Sequence, residues 1–145
     1  MKEKLLNELK EAMRNKDELK KNTITMLRAA ILQVEKDEQK TLNESEMTVI
    51  VSKQVKQRRE SIIEFTKVER LDLVEELLKE IKILSEYLAK QLSEQEIRDL
   101  VIESIKKTGA NGPREMGKVM SDLKEKTIGK ADGKLVSEIV KEMLV

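Results

Sequence analysis

Residues Gly109–Gly133, GANGPREMGKVMSDLKEKTIGKADG, contain all five glycines of the chain and its only proline, Pro113. Glycine and proline are the strongest local interrupters of regular structure, so the remainder of the chain runs without a strong breaker. Within the stretch, Gly109 and Gly129 sit where helices stop. Gly112 and Gly133 flank helix starts, with Pro113 at a first helical position. Met116, Val119, Met120 and Leu123 recur at helical spacing between them, which leaves Gly117 as a mid-helix glycine. The stretch reads as two turns around a short central helix, and the fold it belongs to is all-α.

On its C-terminal side, Asp132 is placed to cap a last helix whose inward residues are Leu135, Val136, Ile139, Val140, Met143 and Leu144. On its N-terminal side, Ser93 and Glu96 form a capping box that opens a helix carrying Ile97, Leu100, Val101 and Ile105 and ending at Gly109. The periodicity resets around Ala89–Leu92, which divides the chain into an N-terminal unit, residues 1–92, and a three-helix C-terminal unit, residues 93–145.

Four amphipathic segments fill the N-terminal unit. Leu5, Leu6, Leu9, Ala12 and Met13 mark the first, and Leu19, Thr23, Met26, Leu27, Ala30, Ile31 and Val34 the second. Asn43 with Glu46 opens the third through a second capping box. The fourth, Leu71 to about Leu88, has an apolar stripe broad enough for two neighbours. Short connections favour an antiparallel four-helix bundle. Gln54 and Arg58 fall inside the apolar arc of the third helix, where a guanidinium must snorkel or meet a carboxylate. The next helix offers Glu69, Asp72, Glu75 and Glu76 as partners. This makes Gln54 and Arg58, with the adjacent Arg59, structural or partner-binding residues.

Composition narrows the chemistry. The chain is 39% hydrophobic and 39% charged, with one Phe and one Tyr. It has no Cys, hence no disulfide or thiolate, and no His, hence neither the commonest general base nor the commonest metal ligand. The carboxylates lie at ordinary helical positions beside Lys or Arg. No catalytic residue, metal site or cofactor is expected. No apolar run approaches the ~20 residues of a membrane span. The start, Met1–Leu6, lacks the apolar core of a signal peptide, which implies the cytoplasm.

Charge is uneven. Overall the chain carries +1, but between Lys106 and Lys134 eight basic residues face Glu115, Asp122, Glu125 and Asp132, a local excess of four. Lys106, Lys107, Arg114, Lys118, Lys124, Lys126, Lys130 and Lys134 are candidate phosphate contacts. Gly117 would let either a neighbouring helix of this unit or a nucleic-acid backbone approach closely, and the helix N-terminus capped by Asp132 would offer N–H groups. With so few aromatic side chains, such a surface would read RNA shape and phosphates rather than unstacked bases.

Five pieces, in this order and spacing, resemble the YqeY-like proteins of the GatB/YqeY family: Lys56–Ile62, Arg70–Leu73, Tyr87–Ser93, Met116–Met120 and Gly129–Gly133. The resemblance spans essentially the whole chain. It implies a helical bundle followed by a small tail domain related to the C-terminal part of the GatB and GatE subunits of tRNA-dependent amidotransferases. There the tail handles tRNA, and the carbon–nitrogen ligase chemistry with glutamine as amido donor resides in other domains. The function implied is a non-catalytic tRNA-binding accessory. The alternative is a module that docks on an aminoacyl-tRNA synthetase or amidotransferase through the surface of Lys53, Lys56 and Arg59 or an exposed apolar face. The family usually has proline at the positions of Ala89 and near Glu125, so a fixed angle between units does not carry over.

Overall fold

A computed structural model describes residues 1–145 as seven α-helices without a strand. They are α1 (Lys2–Arg14), α2 (Glu18–Glu38), α3 (Glu44–Lys67), α4 (Leu71–Ser85), α5 (Glu94–Thr108), α6 (Met116–Thr127) and α7 (Gly133–Met143), with a 3-10 turn at Pro113–Glu115 before α6. The all-α reading holds. The chain divides into two compact units, Met1–Leu88 and Ala89–Val145.

In the first unit α1 packs on α2, α3 packs on α4, and α2 meets both α3 and α4. The core is Leu5, Ile24, Leu27, Ile31, Met47, Val51, Val55 and Leu84, closed by Leu42 and Tyr87. Both predicted capping boxes form: Asn43 and Glu46 bond reciprocally at the start of α3, as Ser93 and Glu96 do at α5. The connection between α2 and α3 has no glycine, and Gln39 adopts the left-handed conformation, φ 53°, to end α2. Glu35 then holds that connection, accepting from the Leu42 N–H at 2.8 Å and from Lys2 Nζ at 2.7 Å.

α4 is shorter than its apolar pattern. It stops at Ser85, and Tyr87 and Leu88 follow in tight turns whose N–H groups donate to the Leu84 and Ser85 carbonyls. Only Leu84 of α4 is fully buried, whereas Leu71 and Leu78 are mostly exposed. Met13 and Met26, read as inward residues, also face solvent. The buried Tyr87 hydroxyl donates to Glu8, and Lys4 Nζ sits 4.9 Å from the centre of the ring. Burial, with the Glu8 carboxylate second, pushes the phenol above its ordinary range.

In the second unit Ile97, Val101, Val119, Leu123, Val136, Ile139 and Val140 form a separate core. Ser104, fully buried, faces the Val119 carbonyl between α5 and α6, where a small side chain lets the helices approach closely. Leu135 lies outside this core, 37% exposed, whereas the adjacent Val136 is buried in it, so the inward face of α7 begins at Val136.

Candidate nucleic-acid interface

The basic residues of the Lys106–Lys134 stretch are presented by the end of α5, the 3-10 turn, α6, the α6–α7 turn and the first turn of α7. α6 separates its own lysines. Lys118, Asp122 and Lys126 follow at four-residue spacing along one face, and Lys124 stands about 160° around the helix from Lys126. Lys107 Nζ is paired with Asp122 at 3.0 Å. The Ser104 hydroxyl and the Lys107 ammonium hold the Asp122 carboxyl below the ordinary carboxylate range, and Lys126 adds to this. This carboxylate therefore neutralises part of one side of the basic stretch. No signal local to Lys107 could reveal it, since the pair forms only when α5 and α6 pack.

Lys124, on the opposite side of α6, is exposed, as are Lys130 and Lys134 after it, and none has a carboxylate within ion-pairing distance. Lys124 lines a shallow groove of about 430 Å³ together with Met120, Ile128, Ala131, Gly133 and Val136. Lys106 and Arg114 are exposed and unpaired as well. Asp132 caps α7, its carboxylate accepting from the Lys134 N–H at 3.1 Å. The α6–α7 turn is itself held: Gln91 Nε2 donates to the Gly129 carbonyl and the Leu92 N–H to the Lys130 carbonyl. Gln91 and Leu92 were not among the residues singled out as functional, although they belong to one of the five resembling pieces.

Gly117 is the second residue of α6, not an interior position, and it is exposed. A Cβ placed there would meet nothing within 4 Å. Packing between helices does not require this glycine. Its open face continues through Ser121 to Lys124, at spacings of four and seven residues.

In the first unit, Arg58 is buried, and its Nη2 lies 3.5 Å from Glu80 of α4, while Nη1 bonds the Gln54 carbonyl and side-chain oxygens at 3.2 and 2.8 Å. The tie between α3 and α4 exists, but with Glu80 instead of the four carboxylates nearer in sequence. An antiparallel hairpin places side by side the residues equidistant from its turn, and Arg58 and Glu80 are symmetric about Glu69. Arg59 is exposed, on a face shared with Lys53, Lys56 and Ile63.

The profile of the Yqey-like protein family matches residues 2–144. The chain belongs to the YqeY-like family. Among its relatives is altered inheritance of mitochondria protein 41, mitochondrial, of Pyrenophora tritici-repentis, 30% identical over 97% of this chain and 79% of that protein. Proteins of the same name from Kluyveromyces lactis and Lachancea thermotolerans are 43% and 45% identical. Those matches cover 57% and 58% of this chain, which spans less than half the length of either relative, 45% and 46%.

These names overturn the cytoplasmic expectation. The relatives are mitochondrial proteins, and the expectation rested on the lack of an apolar signal core, which amphipathic, Arg-rich transit peptides do not possess either. No helix is long and apolar enough to cross a membrane.

Proposed function

We propose that this YqeY-like chain is a non-catalytic accessory that binds tRNA through the basic face of its C-terminal unit. In this reading residues 1–92 are a helical bundle that acts as scaffold, and residues 93–145 are the tail that makes contact. The observation that carries it is the set of exposed cations without carboxylate partners, Lys124, Lys130 and Lys134 foremost, with Lys130 on a turn that Gln91 fastens in place. Lys106, Arg114, Lys118 and Lys126 are the further phosphate contacts, Lys118 and Lys126 on the other face of α6 from Lys124, and the open flank at Gly117 gives a ribose–phosphate backbone room to approach. The resemblance of the five sequence pieces, which implies a tail like that of amidotransferase subunits, supports the same assignment.

Titration of total tRNA at low and moderate salt tests it. Affinity should fall with salt, since each phosphate contact releases counterions, and Lys118→Glu plus Lys130→Glu should weaken binding and flatten the salt dependence. Unchanged affinity in that double variant would remove the patch from the proposal.

A second reading rests on the exposed face of α3, where Lys53, Lys56 and Arg59 adjoin Ile63, itself 56% exposed. Here the chain docks on an aminoacyl-tRNA synthetase or amidotransferase. Capture of such a partner that survives ribonuclease and is lost on Arg59→Glu favours docking over RNA.

A further inference from the structure

The tip of the α3–α4 hairpin carries its apolar side chains outside the core. Between Arg58 and Leu84 no residue is buried, and no apolar residue in or against the first unit's core lies beyond Val55 on α3 or before Ile81 on α4. On α4, Leu71, Val74, Leu78 and Ile81 follow at spacings of three, four and three, the repeat of a coiled-coil seam. Leu71 is 65% and Leu78 54% exposed, while Val74 and Ile81 are half-buried. Glu80, paired with Arg58, marks the side of α4 that faces α3, and the seam is centred about 140° around the helix from it. α3 therefore does not cover the seam. A stripe of this kind stabilises a helix only when another helix packs on it.

We infer that the seam is covered by the same seam of a second copy of this chain, antiparallel and related by a two-fold axis. The charges beside it select that occupant. Glu75 and Lys82 flank the seam along one edge, seven residues apart and both exposed. Lys82 has no carboxylate within ion-pairing distance, and Glu75 has only the exposed Lys79 at 3.8 Å, a pair worth little. An edge with one charge of each sign is its own complement when turned end for end. Antiparallel packing that sets Leu71 opposite Ile81 and Val74 opposite Leu78 brings Glu75 of each copy to Lys82 of the other, at both ends. Sliding one copy by a heptad toward the tip would set Glu75 against Glu75, and a partner helix of uniform charge would be repelled at one of the two ends. Nucleic acid does not suit this helix: α4 carries Asp72, Glu75, Glu76 and Glu80 against Lys79 and Lys82, a net of −2. The inference rests on α4 alone and depends on neither reading of the function.

Sedimentation equilibrium of the full chain over a concentration series tests the assignment. A monomer–dimer equilibrium is expected. Leu78→Lys should weaken the dimer about tenfold or more and leave helical circular dichroism unchanged, because Leu78 is exposed. Glu75→Lys and Lys82→Glu should each weaken it as well, since either one sets like charges together at both ends. Mixed in equal amounts, these two variants should associate more tightly than either does alone, because every facing pair is then opposite in sign. That recovery requires antiparallel pairing of these two residues, and lost folding cannot produce it. A chain that stays monomeric up to about 1 mM overturns the proposal. So does a dimer that persists in Leu78→Lys, or a mixture that associates no better than its separate variants.

Discussion

Gln91 fastens Gly129. Its Nε2 donates to the Gly129 carbonyl at 3.0 Å and to the Ala89 carbonyl at 2.8 Å, and next to it the Leu92 N–H donates to the Lys130 carbonyl at 2.8 Å. Gly129 itself is in the left-handed conformation, φ 73°. Two pieces of the family pattern, Tyr87–Ser93 and Gly129–Gly133, are thus bonded to each other, and the turn that presents Lys130 takes its shape from a side chain 38 residues earlier.

Removing that side chain should loosen the turn. Gln91→Ala is expected to lower stability by about 1 kcal/mol, the net worth of an ordinary hydrogen bond. Gln91→Glu should do no better, because a carboxylate cannot donate to two carbonyls. Urea unfolding of the full chain reads this directly; an unchanged midpoint in both variants would show that Leu92 alone holds the turn.

Arg58 and Glu80 form a largely buried pair 3.5 Å apart, with side-chain exposures of 8% and 16%. Deleting one partner strands the other. Glu80→Ala should therefore destabilise by roughly 3 kcal/mol, whereas the double change Arg58→Met with Glu80→Leu should come out near neutral, since apolar replacements need no desolvated charge. Chemical denaturation of both variants checks the contrast. Equal losses would mean that the pair is less buried in solution than in the structure.

Tyr87 is the only tyrosine, so its ionisation is a single-residue probe. Burial and Glu8 raise its pKa in the folded chain, while the unfolded phenol titrates near 10. A raised folded pKa stabilises fully below the unfolded value, and that contribution is lost as pH rises beyond about 10, where the unfolded chain releases its proton first. Tyrosinate absorbance should therefore stay silent above pH 10 and appear together with loss of helical signal. Ionisation at an ordinary pH with helices intact would contradict the burial of the hydroxyl.

Gly117→Ala should leave the fold intact or stabilise it by up to about 1 kcal/mol, because alanine favours the helix and its Cβ meets nothing. Under the tRNA proposal, affinity should fall all the same if a backbone passes over this position. Thermal unfolding and tRNA titration of the one variant separate the two effects.

Glu69 ends α3 with φ 56°, a strained conformation for a residue with a Cβ. Glu69→Gly should stabilise by roughly 0.5–1 kcal/mol. A drop in melting temperature would indicate that the Glu69 side chain makes a compensating contact.

The helix ends that were legible in the sequence are the ones whose physics is local. Asn43 with Glu46 and Ser93 with Glu96 satisfy one another's backbone groups within a single turn, and Asp132 does the same for α7. The helix class followed from periodicity and from the confinement of every glycine to one stretch. The breakers absent from the α1–α2, α2–α3 and α3–α4 connections were not legible. There Lys16, Gln39 and Glu69 take the left-handed conformation that sequence patterns assign to glycine.

Partners across helices were decided by tertiary structure. Arg58 needed a carboxylate, which its place in an apolar arc made plain, but only the hairpin register selected Glu80. The basic stretch looked like one patch because sequence counts charge along a line. Folding wraps that line around α6, sets Asp122 against Lys107, and leaves Lys124, Lys130 and Lys134 exposed without a carboxylate partner. Local hydrogen bonding and periodicity are written residue by residue. Which charges remain free depends on which helices meet, and that is fixed by packing.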